Sequence, residues 1–158
     1  MHKLRLAATT DAYEIAALSR GVIEVGLRGW SWHPQRVAKA IRARDTNVIV
    51  ASDQYHLIGA AIMEFGDTTA HLSLLAVHPS HQRRGIGRAI VNWLEETALA
   101  AGITAIDLEL RANNYGARSF YHTLGFRETY WIRGYYLGIE TAVQMTHKIG
   151  RAISDRIT

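Results

Sequence analysis

A chain of 158 residues, 48% hydrophobic and 20% charged, is expected to fold as one globular domain over residues 1–158, with a core that needs no staples. It contains no cysteine, which excludes disulfides, thiolate metal sites and a cysteine nucleophile. The formal net charge is +4, and of the 18 basic residues only Lys3, Lys39 and Lys148 are lysine; arginine is the side chain suited to planar recognition of phosphate and carboxylate.

The first residues, MHKLRLAATTDAYE, hold no continuous apolar run, so no secretory leader is expected. No stretch approaches the roughly 20 apolar residues that span a bilayer. A cytoplasmic protein with no membrane partner is the expectation. Leu4 to Ala7 read as a short strand, and Thr10-Asp11 as a helix cap. Ile15, Leu18, Val22 and Ile23 then recur at helical spacing. Pro34 is placed to open a second helix with Val37, Ala40 and Ile41 inward. NVIVAS and HLIGAAIMEF read as neighbouring strands joined at Asp53-Gln54, and AHLSLLAV follows the turn at Gly66-Asp67 as a third.

A long helix is expected from Ile86 to about Ala101, with Ile86, Ile90, Leu94 and Ala98 as its stripe and Gly102 as its stop. AIDLEL alternates: Ile106, Leu108 and Leu110 take one face, Asp107 and Glu109 the other. A shorter helix spans about Tyr115 to Thr123, with Ala117, Phe120, Tyr121 and Leu124 on one side and Gly125 ending it. Two strands close the chain, around Arg127 to Arg133 and Glu140 to Lys148. The order β-α-α-β-β-β-α-β-α-β-β describes a mixed α/β domain. Its central strand-helix-strand unit should be a right-handed parallel crossover.

The stretch LLAVHPSHQRRGIGRAIVNWLEE, residues 74–96, feeds a strand through a glycine- and arginine-rich turn into a helix start. Free backbone N–H groups and the helix dipole make such a junction an anion site. Gly85 and Gly87 would allow close backbone approach and unusual dihedrals. No Gly-Lys-Ser/Thr follows, so the turn is not a P-loop, and Ile90 stands where the dinucleotide fingerprint needs its third glycine. From the loop alone, a basic surface turn with convenient glycines explains the pattern as well as an anion site does.

QRRGIG, residues 82–87, resembles the Q/R-x-x-G-x-G/A signature of the GNAT superfamily of acyl-CoA-dependent N-acetyltransferases. LLAVHP before it and NNYGARSFYHTLGF after it are similar to that superfamily at matching distances. The resemblance covers nearly the whole chain. It implies a GNAT-type mixed central sheet flanked by helices, with acetyl-CoA as co-substrate. Gln82, Arg83, Arg84, Gly85, Ile86, Gly87 and Arg88 would then hold the pyrophosphate of coenzyme A. The backbone of Leu75, Ala76 and Val77 would pair with the pantetheine arm like an added strand and polarise the thioester carbonyl, and Asn114 would touch the same arm besides capping its helix.

Within the superfamily the pattern looks most like the bacterial ribosomal-protein alanine N-terminal acetyltransferases. Glu109, Asn114 and Tyr121 meet the spacing of that type, as do Tyr135-Tyr136 and Gly138-Ile139-Glu140-Thr141-Ala142, except that Thr141 replaces the usual Asp. The acceptor is then an amine, in the first instance a protein or peptide N-terminus. Glu109 is the candidate base, directly or through a water, because it projects from the polar face at its strand end; a plain surface carboxylate is the alternative. Tyr121 is the candidate acid for the departing thiolate, against a core tyrosine on an apolar stripe. Trp30, Trp32, Tyr135 and Tyr136 are candidate walls of the acceptor site, with packing as an equal reading for the tryptophans.

Other classes fit less well. Eight histidines include no His-Glu-x-x-His, and no metal is expected. Arg36, Lys39, Arg42 and Arg44 give the second helix a basic character, yet no nucleic-acid-binding motif appears, and no nucleic-acid partner is expected. A non-catalytic acyl-CoA sensor would have little use for Glu109 and Tyr121. A small-molecule amine is the nearer alternative acceptor, and the chain is expected to be a monomer or a homodimer.

Overall fold

The computed structural model describes residues 2–24, 31–136 and 140–150, apart from the side chains of Tyr135 and Tyr136. The elements follow the expected order: β1 (Lys3–Leu6), α1 (Ala12–Val22), α2 (Pro34–Arg42), β2 (Thr46–Ser52), β3 (Leu57–Phe65), β4 (Thr69–Val77), α3 (Ile86–Ala100), β5 (Ala105–Arg111), α4 (Tyr115–Thr123), β6 (Arg127–Tyr136) and β7 (Glu140–Lys148). The strands form a seven-stranded sheet in the order β1-β2-β3-β4-β5-β7-β6, and the fold is mixed α/β with flanking helices. No helix among the described residues is long and apolar enough to cross a membrane. The chain divides into two compact units, residues 1–64 with 72–94, and residues 65–71 with 95–158.

In the first unit β2 pairs antiparallel with β1 and β3, setting Leu4 opposite Ala51 and Val50 opposite Ala60. The near-continuous apolar runs of β2 and β3 mark strands covered on both faces, and Val48–Ala51 and Ile58–Met63 are buried accordingly. Ile15, Ala16 and Leu18 of α1 and Val37 of α2 share a core with Val48, Val50, Ala60, Ile62, Leu74 and Ala76. Full burial stabilises each large side chain of such a core by roughly 1.5–3 kcal/mol. Small residues in β3 let α3 come close: a Cβ on Gly59 would sit 3.2 Å from Ile90 Cδ1 and 3.4 Å from Ile86 Cγ2.

Two local expectations in this unit differ from the structure. Asp11 does not cap α1 with its side chain. The carboxylate turns back, accepting from the Ala8 N–H at 2.8 Å and from the two terminal Arg5 guanidinium nitrogens at 2.8 and 3.0 Å. A charged bidentate partner is a stronger pull than a helix N–H. Ile23 lies just past α1 and is 40% exposed, so it is not part of the inward stripe.

In the second unit β4 and β5 run parallel, pairing Thr69, Ala70 and His71 with Ala105, Ile106 and Asp107. Between β5 and β7 the pairing is antiparallel, with Glu109 opposite Gln144, and β7 pairs antiparallel with the edge strand β6. The alternation in β5 is as expected, with Ile106, Leu108 and Leu110 buried. Gly125 ends α4 at φ +97, where a Cβ would meet His147 Cε1 at 2.6 Å.

Candidate active site

The anion loop begins where β4 ends. Gln82 donates from Nε2 to the Val77 carbonyl at 3.0 Å, so this side chain ties the loop to the strand. A single 3-10 turn, Pro79–His81, is held by His78, whose Nδ1 accepts from the Ser80 N–H at 3.2 Å. Arg83 and Gly85 then take the left-handed region, at φ 63 and 81. Gly87 does not: it is the second residue of α3 and keeps a helical backbone, while the unexpected left-handed residue is Arg83. The first α3 ladder bond runs from the Ala89 N–H to the Gly85 carbonyl at 3.0 Å. The N–H groups of Ile86 and Gly87 therefore stand outside the ladder, at the positive end of the helix dipole. No acidic residue lies in that first turn. Arg83 and Arg84 are exposed and form no ion pair among the described residues. Buried Ile86, Ile90, Val91 and Leu94 hold the helix in place beneath this open end.

In the second unit the polar face of β5 carries a cluster that sequence reading missed. His71 of β4 lies between two carboxylates, with Nδ1 2.5 Å from Asp107 Oδ1 and Nε2 3.0 Å from Glu109 Oε2. The Glu109 contact, then that to Asp107, outweighs burial and raises the His71 pKa to about 9. The candidate base is thus hydrogen-bonded to a cation. A histidine raised from 6.5 to about 9 stabilises the fold fully below pH 6.5, and that contribution is lost as pH rises through about 9. The Tm of the wild type is expected to fall more steeply across that interval than that of His71→Gln, which thermal melts at stepped pH would measure. With His71 36% exposed, solvent screening keeps the difference small.

Tyr121 is buried on the inner side of α4, its ring edge-on to Phe120 at 5.1 Å and Phe126 at 5.3 Å. Burial pushes its hydroxyl pKa well above the ordinary value. Asn114 caps α4, its Oδ1 accepting from the Ala117 N–H at 3.1 Å, which leaves its amide N–H groups as donors. An open cleft of about 480 Å³ lies at this end of α4, lined by Ala112, Asn113, Tyr115, Trp131, Arg133 and Thr141. Arg118 braces its rim: the guanidinium pairs with Glu128 at 2.7 Å, donates to the Ala112 carbonyl at 2.8 Å and lies 5.0 Å from the Trp131 ring. Trp131 and Arg133 carry no motif that would have singled them out.

The remaining acceptor-wall candidates divide. Trp32 is 7% exposed within the core of its unit, with the Arg36 guanidinium stacked 3.7 Å from its ring centroid. It is a packing residue in this structure rather than an open wall. Buried Glu24 fixes it there by accepting from the Ser19 hydroxyl at 2.8 Å and the Trp32 N–H at 3.3 Å. Trp30, Gly138 and Ile139 lie outside the described residues; Tyr135 and Tyr136 end β6, and their side chains are outside them as well.

Residues 10–126 match the Acetyltransferase (GNAT) family. The chain belongs to this family. Among curated relatives, the [ribosomal protein bS18]-alanine N-acetyltransferase of Escherichia coli (strain K12) is 40% identical over 67 residues, 42% of this chain and 45% of that protein. The chain thus spans about half the length of the curated relatives it matches. In three dimensions the likeness is longer. The crystal structure of the Escherichia coli ribosomal-protein-S18-alanine N-acetyltransferase aligns with a TM-score of 0.80 at 27% identity over 96% of each chain. A Salmonella typhimurium protein solved with its cofactor acetyl-CoA shares the fold, with a TM-score of 0.81 at 20% identity over 96% of each chain. The family match takes in both the anion loop and the whole α4 segment, whose positions were read from short motifs, whereas His71 belongs to no such motif.

Proposed function

We propose that the chain is an N-acetyltransferase that moves acetyl from acetyl-CoA directly to an amine, and that the amine is the α-amine of a protein or peptide N-terminus. The whole chain would act as a single acetyltransferase domain, in the cytoplasm. The observation that carries this reading is the start of α3: N–H groups outside the ladder, an acid-free first turn, and Arg83 and Arg84 without ion pairs among the described residues. Such an arrangement supports the reading of a diphosphate site. The finer assignment to an N-terminal amine is supported by the three-dimensional likeness to the Escherichia coli enzyme over 96% of each chain.

Acetyl-CoA supplies an acyl group already activated as a thioester. In the proposed reaction the residues of the loop, Gln82 to Arg88, hold the pyrophosphate, and the Leu75–Val77 backbone and Asn114 hold the pantetheine arm. The amine nitrogen forms a bond to the carbonyl carbon and the carbon–sulfur bond breaks. Glu109 takes the proton that the nitrogen loses, directly or through water, and Tyr121 gives its hydroxyl proton to the sulfur. An α-amine near pKa 7.8 is roughly a quarter neutral near pH 7.4, whereas a lysine amine near 10.4 is neutral about one part in a thousand. For the first acceptor a weak or water-mediated base therefore suffices. Tyr135 and Tyr136 remain proposed acceptor contacts, since two aromatic rings with polar tips can clamp an extended backbone.

Acetyl-CoA turnover with paired peptides tests the reading, each peptide carrying one lysine and either a free or a blocked N-terminus. Only the free peptide is expected to be acetylated. Equal acetylation of both would make lysine the acceptor. Turnover of a polyamine, aminoglycoside or amino acid with neither peptide modified would make this a small-molecule enzyme.

A further inference from the structure

The carboxylates of Asp107 and Glu109 point from the same face of β5, two residues apart, because strand side chains alternate. Alone, they would repel. Between them lies the ring of His71, brought there by the parallel register that sets His71 opposite Asp107. Nδ1 faces Asp107 Oδ1 at 2.5 Å and Nε2 faces Glu109 Oε2 at 3.0 Å. An ionised carboxylate only accepts hydrogen bonds, and a neutral imidazole has one donor nitrogen. With acceptors at both nitrogens, both must donate, so the ring is an imidazolium. Asp107 fixes one end of the ring, and the other end fixes Glu109.

We infer that His71 is a positioning residue for Glu109, holding Oε2 so that the carboxylate presents its second oxygen, Oε1, to the acceptor amine or to a water bound to it. This inference rests on the proposed acetyltransferase reading, in which Glu109 takes the amine proton. The arrangement has two consequences. The cation offsets the repulsion between the two neighbouring carboxylates, and the two-ended bridge restricts the Glu109 side chain to one orientation. Asp107 acts at one remove, by holding the ring. The electrostatics agree with the geometry, since the His71 pKa is raised to about 9 by these two carboxylates.

A double-mutant cycle distinguishes positioning from packing. kcat and KM would be measured with a free-N-terminus peptide for the wild type, His71→Leu, Glu109→Gln and the double variant, with acetyl-CoA Kd by calorimetry and Tm for each. His71→Leu is expected to lower kcat by about 10²-fold, the loss typical of a misplaced reacting group, with little change in acetyl-CoA Kd. The double variant should be no slower than Glu109→Gln alone, because residues that act as a unit are not additive. Losses that multiply in the double variant would mean that His71 acts independently of Glu109, and the inference fails. A normal kcat for folded His71→Leu with a reduced kcat for Glu109→Gln would also overturn it while leaving the acetyltransferase reading intact. A normal kcat for Glu109→Gln would remove the base assignment itself, and the inference with it. Should His71→Leu not fold, His71→Gln keeps one donor without the charge and is read by the same criteria.

Discussion

Tyr121→Phe is expected to lower kcat by about 10²–10⁴, the range for a lost general acid, with Tm nearly unchanged. The substitution removes one oxygen and keeps the ring that packs against Phe120 and Phe126. Truncation to alanine would not serve, because opening a cavity at an aromatic core position costs about 3–5 kcal/mol and mixes folding with chemistry. Burial holds the hydroxyl pKa above its ordinary value, so the group stays protonated at any pH at which the enzyme would work. It therefore always has a proton for the leaving sulfur. The cost is that the phenol is a weaker acid than in water, and the transfer depends on the sulfur developing full thiolate charge as the carbon–sulfur bond breaks. Steady-state turnover with saturating acetyl-CoA, compared with thermal melts, checks the expectation. Near-normal turnover would return Tyr121 to the role of a packed core tyrosine.

The elements were legible where local chemistry fixes them. Asn114 and Gly125 bracket α4, and its bounds, Tyr115–Thr123, are those expected from the cap and the stop. The alternation of β5 assigned Glu109 to the half-exposed face in the same way. The strand ends were less legible: β6 runs on to Tyr136 instead of stopping near Arg133, with a register shift between Ile132 and Tyr136 carrying the strand past Gly134. Chain order could not reveal that β7 lies between β5 and β6. His71 was missed for the same reason. It and Asp107 are brought together by a parallel register, and register is a property of the assembled sheet that no spacing in the sequence encodes. Trp32 was ambiguous because a tryptophan suits a core and a binding wall equally; its burial with Val37 and Leu18 decides for the core.

Gly85→Asp is expected to abolish measurable acetyl-CoA binding, while Gly85→Asn retains most of it. Both side chains are of similar size, and both belong to the residues that tolerate positive φ best, so each meets the strain of φ +81 equally. Nothing lies within 4 Å of a Cβ built at this position, so neither should clash with the protein. The difference between them is one negative charge at the mouth of α3. Placed about 4 Å from a phosphate oxygen, it opposes binding by roughly 4 kcal/mol at the effective dielectric of a protein surface, nearly a thousandfold in Kd. Calorimetric titration of the two folded variants with acetyl-CoA reads the effect directly, and added salt should narrow the gap because the pair is exposed. Equal affinity in the two variants would mean that no phosphate sits at the start of α3, and the loop would then be a basic surface turn after all.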